Sequence, residues 1–403
     1  MENETKQIIN QNKLNGLCNS LEKWDDLSRE ERERIFQYIL SSLAEQFYPF
    51  YEDDSKAVLI YKGEVKSVEL LSDITGWTNP IPFKQLSGTE LFYLKLELEP
   101  DARIQYQLMI DGNPILDPSN RYKSLHGLGT MSELAMPKYE RHPYLNEFLF
   151  GKEGSFNGLI KHILPPGALP YDHEIYVYLP PDFDNNNKYP TVYFHDGPDY
   201  IKYGLAPNTI SKLIIENKII SCIAVFVTPP NLHQAIVPNR STEYGMNDDY
   251  VKFFCNELVP FIDESYSSIR SEQNRLVVGD SYAGLISFYI VYSRTDVFSK
   301  AYSQSGYFSF SNNKLIKLFS NNLPKSIKLY FDIGTFEEKV GANFLPSSEL
   351  DFTDANRRMR DVLLNKDCDF IYREYHEGHT WGNWRRHLIE TLIYFFGKQG
   401  EEK

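Results

Sequence analysis

The segment LVVGDSYAG, residues 276–284, sets one serine among small residues between two apolar stretches. RLVVGD predicts a buried strand, and AGLISFYIVYSR predicts a helix. A serine on a tight strand-to-helix turn is exposed above the carboxyl ends of the strands, with a helix N-terminus beneath it. Gly279, Ala283 and Gly284 provide the space that such a turn requires, although the strict pattern GxSxG has glycine where Ala283 stands. We therefore predict that Ser281 is a nucleophile, and an ordinary serine in a turn is the alternative.

A serine nucleophile needs a base, and for a serine on such a strand-to-helix turn the chain order is serine, then an acid, then histidine. Of the nine histidines, three follow the serine: His376, His379 and His387. His387 falls within the amphipathic helix WRRHLIETLIYFF, and His376 falls at the end of the strand CDFIYREY. His379 follows a glycine just before the last helix, in the loop position that a base requires. We predict His379 as the base.

An acidic residue orients the base, and backbone N–H groups stabilise the oxyanion of the tetrahedral intermediate. Glu337 follows the predicted strand IKLYFDIG and is our candidate acid, with Glu338 and Asp332 as alternatives. The N–H of Tyr282, directly after the serine, is one expected oxyanion donor. The N–H of Gly197, in YFHDGPDY, is the other, unless Asp196-Gly197 only forms a turn.

The string HEGH, residues 376–379, is a weak signal for a metal. Zinc binding by paired histidines uses HExxH on one helical face, whereas this spacing is shorter and contains a glycine. No third ligand is evident. We predict no metal site and no cofactor, because water completes the cycle of a serine esterase.

The elements that must position these residues fall into three ranges. Residues 1–50 are predicted to be a helical lead-in, because Ser28 and Glu31 form a capping-box pattern ahead of apolar residues at helical spacing. Residues 51–145 contain short alternating strands and turns, which predict a small β-sandwich. After a polar connection over residues 140–155, residues 146–403 alternate helices with apolar strands. That alternation predicts an α/β domain with a mainly parallel sheet.

Composition excludes several classes of partner. The 55 acidic residues exceed the 42 basic ones, and a formal charge of −13 argues against nucleic acid and anionic membranes as partners. The four cysteines are scattered, without metal-ligand spacing. The polar N-terminus has no signal-peptide pattern, so we expect a cytoplasmic protein. The oligomeric state stays open.

Six segments together resemble the esterase family that includes enterochelin esterases, feruloyl esterases and mycolyltransferases. They are HDGPDY, NRSTEY, NELVPFIDESY, VVGDSYAGL, SQSGYFSF and EGHTWGNWRRHL, spread over about residues 156–398. The enterochelin-esterase-like branch also carries an N-terminal immunoglobulin-like β-sandwich. The resemblance implies an α/β-hydrolase domain with Ser281 as nucleophile and His379 as base. Some siderophore esterases use a serine–histidine pair with a displaced acid, so the acid is the least secure assignment.

The resemblance also implies substrate contacts. Arg240 and Glu243 match a motif usually near the active site, and the Arg240 guanidinium could hold a carboxylate, a catecholate or its iron-bound form. A structural pair between these two residues is the alternative. Tyr307, Trp381 and Trp384 would form aromatic walls if they face the cleft, and are core residues otherwise.

We therefore expect a serine carboxylic-ester hydrolase that acts through an acyl-enzyme. The expected substrate is a small siderophore-type, enterochelin-like ester, iron-loaded or free, because the protein is expected in the cytoplasm. A carbohydrate esterase that releases feruloyl or acetyl groups is the first alternative. Trp77 of the β-sandwich could then stack on a sugar, and a core or interface position is the other interpretation of this residue. A non-catalytic binding protein that retains the fold is the second.

Overall fold

The computed structural model describes residues 16–45, 48–126, 129–145, 158–231, 236–341 and 345–398. Two compact units divide the chain. The first unit comprises Met1–Glu140, Thr335–Phe344 and Tyr375–Thr380, and the second comprises Arg141–Gly334, Leu345–Glu374 and Trp381–Lys403. Most of the predicted polar connection, residues 146–155, lies outside the described residues. Two segments from late in the chain, Thr335–Phe344 and Tyr375–Thr380, thus group with the first unit.

The first unit begins with two helices, α1 (Leu17–Glu22) and α2 (Arg29–Ala44). The predicted capping box is confirmed at the start of α2, where the Glu31 N–H donates to Ser28 Oγ and the Glu31 carboxylate accepts from the Ser28 N–H. Leu17 and Ile39 are buried against the apolar core of this unit. The helical lead-in therefore contributes to the core of the β-strands that follow it.

Two antiparallel sheets make up the rest of the first unit. Their strands are β1 (Phe50–Tyr51), β2 (Lys56–Lys62), β3 (Val68–Ser72), β4 (Ile81–Pro82), β5 (Lys84–Gln85), β6 (Leu91–Glu97), β7 (Arg103–Ile110), β8 (Asn113–Ile115), β9 (Lys123–His126) and β10 (Gly129–Ala135). One sheet has the order β1-β2-β6-β5; the other has the order β4-β3-β7-β10-β9, with β8 paired to β7. These sheets confirm the predicted all-β sandwich. Trp77 is partly buried, its indole N–H donates to Asp73 at 3.1 Å, and the sugar contact stays a prediction.

One eight-stranded sheet forms the centre of the second unit. Its strands are β11 (Ile160–Leu164), β12 (His173–Tyr178), β13 (Thr191–Phe194), β14 (Ile223–Val227), β15 (Arg275–Asp280), β16 (Lys300–Gln304), β17 (Lys328–Gly334) and β18 (Asp369–Tyr375). The order is β11-β12-β14-β13-β15-β16-β17-β18. The pairs from β14 to β17 are parallel, whereas β12 pairs antiparallel with both β11 and β14. The carboxyl ends of β13, β15, β16 and β17 therefore meet at one edge of the sheet.

Helices connect the strands of this sheet, which confirms the predicted α/β class. They are α3 (Gly197–Lys202), α4 (Ala206–Ile215), α5 (Arg240–Tyr244), α6 (Asp248–Phe253), a π-helical turn (Phe254–Leu258), α7 (Val259–Ser265), α8 (Tyr282–Ser293), α9 (Phe310–Asn321), α10 (Phe352–Leu364) and α11 (Trp381–Phe396). In the part of the chain that the structure describes, no helix combines the length and apolar character needed to cross a bilayer.

Candidate active site

Ser281 lies on a strained turn between β15 and α8. Its φ of 55° and ψ of −119° are values that a residue with a side chain rarely adopts, and such strain is concentrated at functional sites. The Ser281 N–H donates to the Gln304 carbonyl at 2.8 Å, and the Ser281 carbonyl accepts from the Tyr307 N–H at 3.0 Å. Hydrogen bonds to the end of β16 and the loop after it thus hold the serine in this conformation.

Small residues around Ser281 are required by close packing. A Cβ on Gly279 would lie 2.3 Å from the carbonyl carbon of Ala283, and a Cβ on Gly284 would lie 2.4 Å from Ser303 Oγ. Neither distance is possible between non-bonded atoms, so a Cβ at either position would force the backbone of Ala283 or the side chain of Ser303 to shift. The predicted reason for the small residues, a lack of room at the turn, therefore holds at both glycines.

The two predicted oxyanion donors are each the first residue of a helix. Tyr282 begins α8 and Gly197 begins α3, and N–H groups in the first turn of a helix have no acceptor within it. The preceding strands, β15 and β13, are parallel neighbours, so both helices start at the same edge of the sheet. A Cβ on Gly197 would lie 2.6 Å from the Phe226 carbonyl carbon, so the turn needs glycine here.

Arg240 links the turns that precede these two donors. Its Nε donates to Asp196 Oδ2 at 2.7 Å, and an Nη donates to the Asp280 carbonyl at 3.0 Å. Asp196 precedes Gly197, and Asp280 precedes Ser281. Burial and the neighbouring Asp196 carboxylate raise the pKa of Asp280 well above its usual range. Neither aspartate was predicted to bind Arg240, although each stands directly before a residue with a predicted catalytic role.

The predicted substrate contacts, Arg240 and Glu243, have different partners in the structure, and their contact with a substrate stays a prediction. The two residues do not form the pair considered above, because Arg240 bonds to aspartates and Glu243 Oε1 accepts from Tyr171 and lies 2.6 Å from His173 Nε2. The Glu243 side chain has no exposed surface, which supports a structural role in place of a substrate contact. The Arg240 side chain is 26% exposed and can still present an edge to a ligand.

The three predicted aromatic walls are all buried in the second unit. Tyr307 stacks on Phe352 with ring centroids 4.8 Å apart. Trp381 and Trp384 contact each other edge to face within an apolar cluster. The Trp384 indole N–H also donates to Ser305 Oγ at 2.9 Å. Each ring therefore packs against other side chains of the protein, as the core alternative describes, and a contact with the substrate stays a prediction.

His379 and Glu337 form a close pair within the first unit. His379 Nδ1 lies 2.6 Å from Glu337 Oε2, and the glutamate side chain is fully buried whereas 22% of the histidine side chain is exposed. An ionised carboxylate in this contact would accept from Nδ1–H and would leave the lone pair on Nε2. A general base requires this tautomer.

The alternative bases and acids are engaged elsewhere or exposed. His376 Nδ1 lies 2.7 Å from Asp101 Oδ1. Asp332 is buried in β17 and accepts from the Tyr302 hydroxyl at 2.6 Å, and Glu338 is exposed. The contacts therefore favour His379 and Glu337 over the alternatives, and their catalytic roles stay a prediction.

Comparison with known families identifies the chain. The family model described as "Putative esterase" matches residues 167–395, more than half of the 403 residues. The chain belongs to this esterase family. The predicted family and the predicted activity class, an esterase, are thereby confirmed. The matched range includes Ser281, Glu337 and His379.

Relatives and solved structures agree with this assignment. The uncharacterized protein YjcH of Bacillus subtilis strain 168 is 27% identical over 219 residues, which are 54% of the esterase and 88% of YjcH. The ferric enterobactin esterase of Salmonella typhimurium superposes with a TM-score of 0.70 at 15% identity, covering 84% of this chain and 93% of that one. A ferulic acid esterase superposes with a TM-score of 0.50 at 19% identity, covering 59% and 97%. These likenesses confirm the α/β-hydrolase fold preceded by an all-β domain.

His195 is a buried histidine whose backbone N–H donates to the Val278 carbonyl of β15, the strand before Ser281. Its burial makes the stability of the esterase depend on pH. Burial and the charge of Arg240 lower the pKa of His195 to about 3. In the unfolded chain a histidine titrates near its ordinary value of about 6.5, so between these values the unfolded state binds the proton and the native state does not. The native state therefore has its full stability with respect to His195 above about pH 6.5, and this stability decreases as the pH falls toward the pKa of about 3 in the native state.

Because of His195, we expect the free energy of unfolding to fall by about 2 kcal/mol when the pH is lowered from 7 to 5. Urea unfolding of wild type and His195→Gln at both pH values measures it: the variant should show a smaller loss of stability by about that amount. An unchanged pH dependence in His195→Gln would contradict the expectation.

Proposed function

We propose that the protein hydrolyses carboxylic esters through an acyl-enzyme, with Ser281 as the nucleophile. The observation that carries the proposal is the strained backbone of Ser281, with φ of 55°, on a strand-to-helix elbow. Strain at this position is costly and persists only where neighbouring contacts enforce it. A serine in such a turn presents Oγ to a ligand at the carboxyl edge of the sheet.

In the acylation step, His379 Nε2 takes the proton of Ser281 Oγ as the oxygen attacks the ester carbonyl. Glu337 accepts from Nδ1–H, which orients the ring and stabilises the imidazolium that forms. The N–H groups of Tyr282 and Gly197 donate to the oxyanion of the tetrahedral intermediate. The imidazolium then gives its proton to the leaving alcohol, and the acyl group stays on Ser281.

Water completes the cycle. His379 Nε2 takes a proton from water, which attacks the acyl carbonyl; a second tetrahedral intermediate collapses to release the acid and return the proton to Ser281 Oγ. Arg240 supports both steps, since it holds Asp196 and Asp280, the residues directly before the donor Gly197 and the nucleophile. Neither step needs a metal or an organic cofactor.

The substrate we propose is a siderophore-type ester, and the extent of the structural likeness supports it. The enterobactin esterase of Shigella flexneri, solved in the presence of enterobactin, covers 86% of this chain at a TM-score of 0.69. The ferulic acid esterase covers 59%. This greater coverage supports the siderophore-type ester over a feruloyl ester. A cytoplasmic site of hydrolysis belongs to the proposal, and the four free cysteines are typical of a reducing compartment.

A substrate comparison tests the proposal. We expect kcat/KM for a catecholate trilactone such as enterobactin to exceed that for methyl ferulate by about 100-fold or more, because a site built for one set of polar groups rejects an analogue that lacks them. Both esters are assayed by chromatography of the released acid, with Ser281→Ala as the blank. A preference for methyl ferulate or acetylated xylan would favour the carbohydrate esterase, and binding without turnover would favour a non-catalytic protein.

A further inference from the structure

The loops that carry the His379–Glu337 pair belong to the β-sandwich unit. Thr335–Phe344 and Tyr375–Thr380 group with Met1–Glu140, although they follow strands β17 and β18 of the other unit in the chain. The pair and the β-sandwich are therefore parts of the same unit.

Backbone hydrogen bonds join the two loops to each other and to strand β7. The Phe336 N–H donates to the Glu377 carbonyl at 3.2 Å, and the Arg103 N–H, at the start of β7, donates to the His376 carbonyl at 2.9 Å. The Phe336 ring packs against the apolar core of the unit. The backbone on the N-terminal side of His379 is thus continuous with the sandwich.

A buried arginine adds a side-chain connection. Arg103 Nε donates to Glu133 Oε2 at 2.8 Å, and Nη1 lies 3.4 Å from Glu377 Oε2. Only 2% of the Arg103 side chain and 2% of the Glu377 side chain are exposed. A planar guanidinium in such a position fixes the direction of each bonded carboxylate, because its donors form a rigid fork. Glu377 lies two residues before His379.

Gly378, between Glu377 and His379, packs closely against the β-sandwich. A Cβ on Gly378 would lie 2.4 Å from Asp73 Cγ. Asp73 is itself fixed, since its carboxylate accepts from the Gln105 N–H at 2.7 Å and from the Trp77 indole at 3.1 Å. Glycine at this position lets the loop lie against a side chain that cannot move aside.

We propose that Arg103, acting through Glu377, is a positioning residue for the general base, and that the β-sandwich unit holds the His379–Glu337 pair in its reactive geometry. This inference rests on the role of His379 in the proposed function. It assigns the sandwich a part in catalysis that requires no contact with a glycan or with the substrate. Displacement of a catalytic group by about 1 Å costs up to about 100-fold in rate, so a loosened loop should affect the chemical step.

The test compares isosteric substitutions of the two glutamates that contact Arg103. Glu377→Gln removes the carboxylate on the base loop, and Glu133→Gln removes the carboxylate on β10, where Arg103 keeps its bond to Glu377. We expect kcat on a p-nitrophenyl ester to fall about 10- to 100-fold in Glu377→Gln with KM within about twofold, and both constants to stay within about twofold in Glu133→Gln. Thermal unfolding of both variants reports any loss of folded protein. Equal losses of kcat in the two variants would overturn the inference and leave a purely structural network.

Gly378→Ala provides a second variant that changes no buried charge. The added methyl group must displace the loop from Asp73, so kcat should fall while the first unit stays folded by circular dichroism. Wild-type kcat in a folded Gly378→Ala protein would count against the inference.

A spectroscopic readout separates this inference from the proposed function. The Nδ1 proton of His379, bonded to Glu337, should give a far-downfield proton NMR signal that His379→Gln removes. We expect Glu377→Gln to broaden or shift this signal and Glu133→Gln to leave it. An inactive wild-type enzyme would refute the proposed function, yet the NMR comparison would still decide the inference: an unchanged signal in Glu377→Gln overturns it.

Discussion

The Ser281→Ala variant is expected to lose the burst of p-nitrophenol from a short-chain ester and about 10⁴- to 10⁶-fold of kcat/KM. The physical reason is that no covalent intermediate can form without Oγ, so only the oxyanion donors and substrate binding continue to assist water. Alanine keeps the Cβ and hence the strained backbone, with φ of 55°, so the change isolates the hydroxyl. Stopped-flow measurement of the first turnover detects the burst.

Ser287→Ala is the matched control for this substitution. Ser287 is buried in the same helix, and its hydroxyl donates to the Ala283 carbonyl at 2.7 Å, so its loss tests the helix without touching the nucleophile. We expect kcat/KM of this control within about twofold of wild type. Turnover that persists unchanged in Ser281→Ala would remove the serine from the mechanism and leave binding as the remaining role.

Ser281→Gly should separate activity from stability. Glycine adopts positive φ without steric cost, so this inactive variant is expected to gain about 1 kcal/mol in its free energy of unfolding over Ser281→Ala. Such a gain would show that the fold holds Ser281 against its own backbone preference, as expected where a strained residue serves function.

Local patterns predicted the elbow because everything it needs is close in the chain. A buried strand, small residues and a helix follow one another over residues 275–293, and the same atoms that crowd Gly279 and Gly284 belong to this segment or to the neighbouring strand. Chain order similarly restricted the base to three histidines. The loop position of His379, after a glycine and before the last helix, distinguished it from His387, which lies in α11.

Residues far apart in the chain could not be assigned in this way. Arg103 and Glu377 meet across 274 positions, and no periodicity links a strand of the sandwich to the loop before the last helix.

The roles of aromatic residues were also difficult to predict from the sequence. A cleft wall and a core contact both favour a large ring, so Tyr307 could only be placed once its stacking on Phe352 was known. Glu243 required the same information about His173.

Glu337→Gln is expected to lower kcat/KM by about 10³- to 10⁴-fold, because the carboxylate that selects the histidine tautomer is lost. The amide can turn its NH₂ toward Nδ1, which then accepts and leaves the hydrogen on Nε2, the atom that must take the serine proton. The Glu337 side chain is fully buried, so the exchange of carboxylate for amide keeps its volume, and KM should change little. Steady-state kinetics on the p-nitrophenyl ester and on the trilactone measure both constants.

Glu338→Gln is the control, because the same chemical change one residue along the chain falls on an exposed side chain. It should leave kcat/KM within about twofold of wild type. If Glu337→Gln instead kept kcat/KM within about tenfold while His379→Ala lost it, the enzyme would work as a serine–histidine pair, since tautomer selection by a carboxylate accounts for far more than tenfold. Kinetics of Asp332→Asn would then show whether Asp332, the buried acid of β17, acts in place of Glu337. A large loss of kcat/KM in Glu337→Gln and His379→Ala, with no such loss in Glu338→Gln or Asp332→Asn, would give a different result. It would assign the orientation of the base to the 2.6 Å contact between Glu337 and His379.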